Sequence, residues 1–189
     1  MNGAWMHDRE RELIEKHLTI DSVMFEWGSG GSTQYFSQLV KRIYSVENNQ
    51  QWYNKVSEML SQQKVDNATL YFIAGEPSSN FYHQSTYEDY AEYINAIELP
   101  KEQFDLILVD GRARRLCAYK ALSFLKEDGV LVIHDWCERS PYWCVLDYYD
   151  VIEKIDDTPQ TIAIFKPKPN WKEIKGYDLN LGTFERIEG

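Results

Sequence analysis

The chain has 189 residues, 43% of them hydrophobic and 26% charged, which fits one globular domain of ordinary size. Its net charge of −10 argues against a dedicated nucleic-acid binder, because phosphate contacts need a basic surface. No apolar run reaches the roughly 20 residues needed to cross a bilayer, and the charged N-terminus lacks the apolar stretch of a secretory leader.

Residues 8–17 read as a charged leading helix, part of an N-terminal helical segment over 1–20. A short buried strand follows at 23–25, then a helix over 32–39 opened by small and hydroxyl residues. Residues 42–47 read as the second strand. Trp52, Val56, Met59 and Leu60 then fall at helical spacing within 49–62. A third strand is predicted at 69–74, a helix at 87–96, and the most emphatic strand at 104–109. The next helix, 114–125, carries Ala118, Ala121, Leu122 and Leu125 on one face. The fifth strand, 129–133, is almost wholly aliphatic, as expected when both faces are covered.

Residues 142–148 are expected to be helical, and two β-like runs follow at 151–155 and 161–165. The gap between those runs is too short for a helical crossover, so they should form an antiparallel hairpin. Residues 167–189 read as a surface tail, and the whole chain, 1–189, reads as one domain without repeats or linkers. The alternation of strands and helices predicts an α/β fold, a parallel sheet flanked by helices and finished by an antiparallel hairpin. Three cysteines, Cys117, Cys137 and Cys144, are odd in number and lack a four-ligand zinc pattern, so a reduced, cytoplasmic setting is expected.

The turn after the first strand reads Glu26-x-Gly28-Ser29-Gly30-Gly31-Ser32. Such a turn lets backbone approach a ligand, and the following helix N-terminus offers free N–H groups. The dinucleotide pattern would need glycine at position 33, where Thr33 stands. An acid at Glu26 also suits a ligand with positive charge better than a pyrophosphate. Glu47 ends the second strand, where a carboxylate can grip both hydroxyls of a ribose.

These pieces, with Phe104-Asp105-Leu106-Ile107-Leu108-Val109-Asp110-Gly111 and the run from Leu125 to Asp135, resemble the motifs of class I S-adenosylmethionine-dependent methyltransferases, in that family's order. The likeness covers residues 20–166 and extends to small-molecule and sugar O-methyltransferases. It implies a doubly wound, mostly parallel seven-stranded sheet, S-adenosylmethionine as cofactor, and roles by position. Gly28, Ser29, Gly30 and Gly31 would wrap the methionine part, with Glu26 and Ser32 near its amino group. Glu47 would bind ribose, Asn48 would lie beside adenine, Gly75 and Glu76 would border the adenine edge, and Asp110 would also contribute to the cofactor site.

Three polar residues collect at the carboxyl ends of the fourth and fifth strands: Asp110, His134 and Asp135. Methyl transfer to a hydroxyl needs in-line approach and removal of a proton. His134 is a candidate base because imidazole titrates near neutral pH, and Asp110 could orient the acceptor or take the proton itself. Alternatively, Asp110, His134 and Asp135 could hold Mg²⁺ or Mn²⁺ to acidify the hydroxyl. The sequence departs here from catechol-type relatives, which place Asp-Asn after the fifth strand. A capping or packing role is the plainer alternative for His134.

Arg112, Arg114 and Arg115 could bind an anionic acceptor or form a solvated face. Aromatic residues in 77–87, with Trp136, Tyr142 and Trp143, could wall a small-molecule or glycan acceptor. The leading expectation is an O-methyltransferase of sugars or similar hydroxyl compounds. It could act as a homodimer or as part of a larger polypeptide. A NAD(P)-dependent oxidoreductase and a non-catalytic methyltransferase-like binding module stand as alternatives.

Overall fold

The computed structural model describes residues 6–74, 87–136, 140–158 and 160–174. Among these residues five α-helices and seven strands follow in the order α1 (Asp8–Glu15), β1 (Val23–Trp27), α2 (Gly31–Ser37), β2 (Arg42–Glu47), α3 (Gln50–Gln62), β3 (Ala68–Phe72), α4 (Tyr87–Asn95), β4 (Phe104–Val109), α5 (Arg114–Ala121), β5 (Leu125–His134), β6 (Tyr149–Ile155) and β7 (Ile162–Pro167). The strands form one sheet in the order β3-β2-β1-β4-β5-β7-β6. Strands β1 to β5 pair in parallel, whereas β7 runs antiparallel to both β5 and β6.

Side chains alternate across the sheet, as the pleat requires, and each face meets its own set of helices. Phe25, Trp27, Ile107, Val109, Leu131 and Ile133 are buried in one core with Tyr90, Tyr93 and Ile94 of α4 and Leu116, Ala118 and Tyr119 of α5. Met24, Ile43, Leu106, Leu108, Val130 and Val132 form the opposite core with Leu13 and Ile14 of α1 and Phe36 of α2. Helices on both faces explain why β1 and β4 are apolar runs rather than alternating ones. The edge strands are the exception. Phe72 of β3 and Val151 and Ile152 of β6 remain exposed.

The elements differ from the sequence expectation where local pattern is a poor guide. Residues 142–147 of the expected helix lie in a 3-10 helix, Ser140–Asp147, rather than an α-helix. Helix α5 stops at Ala121, because Leu125 already pairs with Phe104 before a register shift lets Val130 meet Leu106. No helix among the described residues is long and apolar enough to cross a membrane.

The sheet reverses its winding between β1 and β4. To one side lie β2 and β3; to the other lie β5 and β7. In an open α/β sheet this switch point leaves a crevice beyond the carboxyl ends of the strands, where ligands bind. The turns after β1, β2 and β4 all open onto it.

Candidate active site

A cavity of about 840 Å³ occupies this crevice, within the range of small-molecule sites. Among the described residues its lining comes from the β1–α2 turn (Gly28, Ser29), the end of β2 and the start of α3 (Glu47, Asn48, Asn49, Gln51, Trp52, Lys55), and the turn after β4 (Asp110, Gly111, Arg112, Arg114). Gly28 has φ +97°, a conformation that side chains rarely adopt. Its N–H donates to Val46 at 2.9 Å, and the Asp110 N–H donates to Trp27 at 2.9 Å, so both turns are fixed by the strands behind them.

Glu47 is anchored rather than loose. Its Oε1 accepts from the backbone N–H groups of Asn48 and Asn49 at 2.9 and 2.8 Å, and its Oε2 accepts from Ser29 Oγ at 3.2 Å. Burial raises its pKa, while these donors pull the other way. Trp52 closes the same wall, donating its indole N–H to the Ser29 carbonyl at 2.7 Å. The Lys55 ammonium stands 4.7 Å above its ring. Sequence reasoning passed over Trp52 as a site residue, because a tryptophan at helical spacing is indistinguishable from core.

Glu26, Gly30, Gly31 and Ser32 do not line the cavity; they build the turn from behind. The Glu26 carboxylate is fully buried and accepts from Ser32 Oγ, from Thr33 Oγ1 at 2.5 Å and from Ser45 Oγ at 2.8 Å. Thr33 also receives the Gly30 N–H at 2.9 Å, so the residue replacing a third glycine is a brace for the loop. Burial pushes the Glu26 pKa up to about 7 against the pull of the three hydroxyls, with the Asp110 charge adding to the rise. Gly75 and Glu76 lie outside the described residues, as do residues 77–86 and Cys137.

Asp110, His134 and Asp135 do come together, but they face different ways. Asp110 lines the cavity. His134 is only 2% exposed and stands behind it, with Nδ1 3.0 Å from Asp110 Oδ1 and Nε2 3.5 Å from Glu10 Oε2. Both ring nitrogens therefore face carboxylates, and His134 is not among the described residues that line the cavity. Burial opposes its charge, yet Asp110, Asp135 and Glu10 outweigh burial and leave its pKa raised.

Glu10 is the partner that sequence reasoning missed. It is fully buried at the start of α1, accepting from the His7 N–H at 2.9 Å and from Thr158 Oγ1 at 2.6 Å. The leading helix is thus tied to the end of β5 and to the β6–β7 turn. A lone acid in a charged helix gives no sequence signal of such burial.

Two further expectations change. Arg114 is not available to an anionic acceptor, because its guanidinium N–H groups serve the carbonyls of Asp110, Gly111 and His134. Trp136 is a core residue, packed edge-on to Phe165 at 4.7 Å between ring centroids, and not an acceptor wall. The metal reading can be tested on the same geometry. Ligand atoms of Asp110, His134 and Asp135 lie within 4.8 Å of one another. Yet the Arg114 guanidinium already stands between the two carboxylates, 3.3 Å from Asp110 and 3.2 Å from Asp135. The residues present do not fit a divalent ion.

No family model and no curated protein matches the sequence. Solved structures match it at the level of fold. A methyltransferase-like protein from Silicibacter pomeroyi is 23% identical, with a TM-score of 0.66 over 88% of this chain and 89% of that one. An rRNA methylase from Streptococcus thermophilus is 16% identical, with a TM-score of 0.61 over 88% and 98%. A Streptococcus mutans protein solved in complex with SAH (S-adenosylhomocysteine) is 17% identical, with a TM-score of 0.61 over 86% and 100%. The mixed seven-stranded sheet of this chain, with its terminal antiparallel hairpin, is the class I methyltransferase fold.

Proposed function

We propose that the chain is an S-adenosylmethionine-dependent methyltransferase acting on a hydroxyl oxygen of a sugar, glycan or other small molecule. The observation that carries this reading is a single cavity at the sheet's switch point, joining the Gly28–Ser29 turn, the anchored carboxylate of Glu47 and the exposed edge of Asp110. In it Glu47 takes the ribose hydroxyls, Trp52 and Asn48 flank the adenine, and the space beside Gly28 and Gly111 receives the methionine part. Glu26 acts one layer back, as a negative or neutral brace beneath the turn.

The acceptor oxygen approaches in line with the methyl carbon; the new C–O bond forms as the C–S bond breaks, and sulfur leaves as a neutral thioether. Asp110 receives the hydroxyl proton. A net charge of −10 favours a small acceptor over a nucleic acid, although an rRNA methylase shares the fold. The buried thiol of Cys117, which is in no disulfide, suits the reducing, cytoplasmic setting that forms part of this proposal.

The test is transfer of a radiolabelled methyl group from S-adenosylmethionine to a panel of sugars, phenols and short glycans. Base-stable label in a hydroxyl acceptor supports the reading. Label appearing only in RNA or protein would sink the small-molecule part. SAH binding with no transfer to any acceptor would favour a non-catalytic binding module.

A further inference from the structure

Arg114 opens α5, and its guanidinium is spent on the ends of two strands. Its Nε donates to the Gly111 carbonyl and its Nη2 to the Asp110 carbonyl, both at 3.0 Å, while Nη1 donates to the His134 carbonyl. The same planar group lies 3.3 Å from Asp110 Oδ1 and 3.2 Å from Asp135 Oδ2. One cation serves both carboxylates.

We propose that Arg114 is the resident cation of the Asp110–His134–Asp135 group, holding between the two carboxylates the place a divalent ion would need, so that the site takes up no Mg²⁺ or Mn²⁺. A divalent ion asks for free carboxylate lone pairs, and the guanidinium of Arg114 already takes up those of Asp110 and Asp135. A guanidinium keeps its charge across the whole working pH range, so the cation cannot be titrated away. Its fork also matches what the two turns require. Ala113 and Asp135 both adopt left-handed backbone, at φ 49° and 55°, and Arg114 bonds carbonyls in each turn. The charge is therefore built into the support of the turns. This inference stands whether or not the cavity binds S-adenosylmethionine.

The experiment is titration of Mn²⁺ onto the full chain, followed by electron paramagnetic resonance of the free ion. The wild type should leave the free signal undiminished. Arg114→Met keeps the aliphatic stem and loses the charge; it should take up one Mn²⁺ per chain. Adding Asp135→Asn to it should weaken that uptake by about tenfold or more, the equivalent of losing one charged ligand. Uptake by the wild type that Asp135→Asn removes would overturn the proposal. So would an Arg114→Met chain that keeps its circular dichroism and takes up nothing. Where Arg114→Met fails to fold, the wild-type and Asp135→Asn titrations still decide.

Discussion

Gly28 and Gly111 approach each other across the switch point so closely that neither position has room for a methyl group. A Cβ on Gly28 would lie 2.6 Å from the Gly111 nitrogen; one on Gly111 would lie 2.0 Å from the Tyr93 hydroxyl and 2.9 Å from the Gly28 nitrogen. The contact locks the turn after β1 to the turn after β4, and it sets the width of the cavity between them.

Alanine at either position should therefore destabilise the protein. Overpacking costs about 1–3 kcal/mol, and at Gly28 the positive φ adds a further cost of similar size. A loss of roughly 2–4 kcal/mol corresponds to a Tm lowered by about 5–15 °C for a chain of this size. Gly30→Ala is the control, since its Cβ would meet only the Trp52 ring at 3.8 Å. Thermal melts of the three variants check this: equal Tm values for all three would contradict the close approach.

Glu47→Ala should weaken SAH binding by about 10- to 100-fold, because two hydrogen bonds to a charged group are lost. The same change frees the N–H groups of Asn48 and Asn49, so Glu47→Gln, which keeps an acceptor for them, separates the turn from the ligand. Calorimetry should find Glu47→Gln intermediate. An affinity unchanged in both variants would remove the ribose role.

Glu26 makes stability depend on pH in a direction that can be worked out. Its folded pKa of about 7 lies above the ordinary 4.5, so between those values the folded chain holds a proton that the unfolded chain has released. Stability from this site is therefore complete below about pH 4.5 and falls as pH rises towards 7, by about 3 kcal/mol in total. His134 adds to the fall at higher pH: its raised pKa gives a contribution present below 6.5 and lost as pH climbs through the folded value. Urea midpoints for wild type and Glu26→Gln at pH 5 and pH 8 check the first effect. The variant should show the flatter profile; parallel profiles would contradict it.

Asp110→Asn should lower methyl transfer by about 10²–10⁴-fold, the usual contribution of a positioned base, with SAH affinity changed by less than about fivefold. His134→Gln should cost less, since it acts through Asp110. A larger loss in His134→Gln than in Asp110→Asn, measured with the same acceptor, would return the role of base to His134.

What the sequence made legible follows physical range. Strand β4 falls where a two-faced apolar run demands it, at Phe104–Val109, and the loop-plus-acid spacing from Gly28 to Glu47 is a local consequence of one βαβ unit. The hairpin was also local, since the gap between its strands is too short for a crossover. That β7 would insert between β5 and β6 was not legible, because a short gap predicts the hairpin without saying which of its two strands meets β5.

Side-chain direction was harder than residue position. His134 ends β5 as expected, but its ring nitrogens face Asp110 and Glu10, the latter 124 residues earlier in the chain. Arg114 reads as one of three neighbouring arginines, and nothing in that run marks it as the member that bridges the ends of β4 and β5. The 3-10 helix spans Ser140–Asp147 and leads directly into β6.

The central claim is that the crevice between β1 and β4 is a cradle for S-adenosylmethionine rather than for a dinucleotide. Calorimetric titration of the full chain with SAH and, separately, with NAD tests it most directly. The account predicts one SAH site per chain, weakened by Glu47→Ala, and no heat of binding from NAD. Saturable NAD binding with no response to SAH would contradict it.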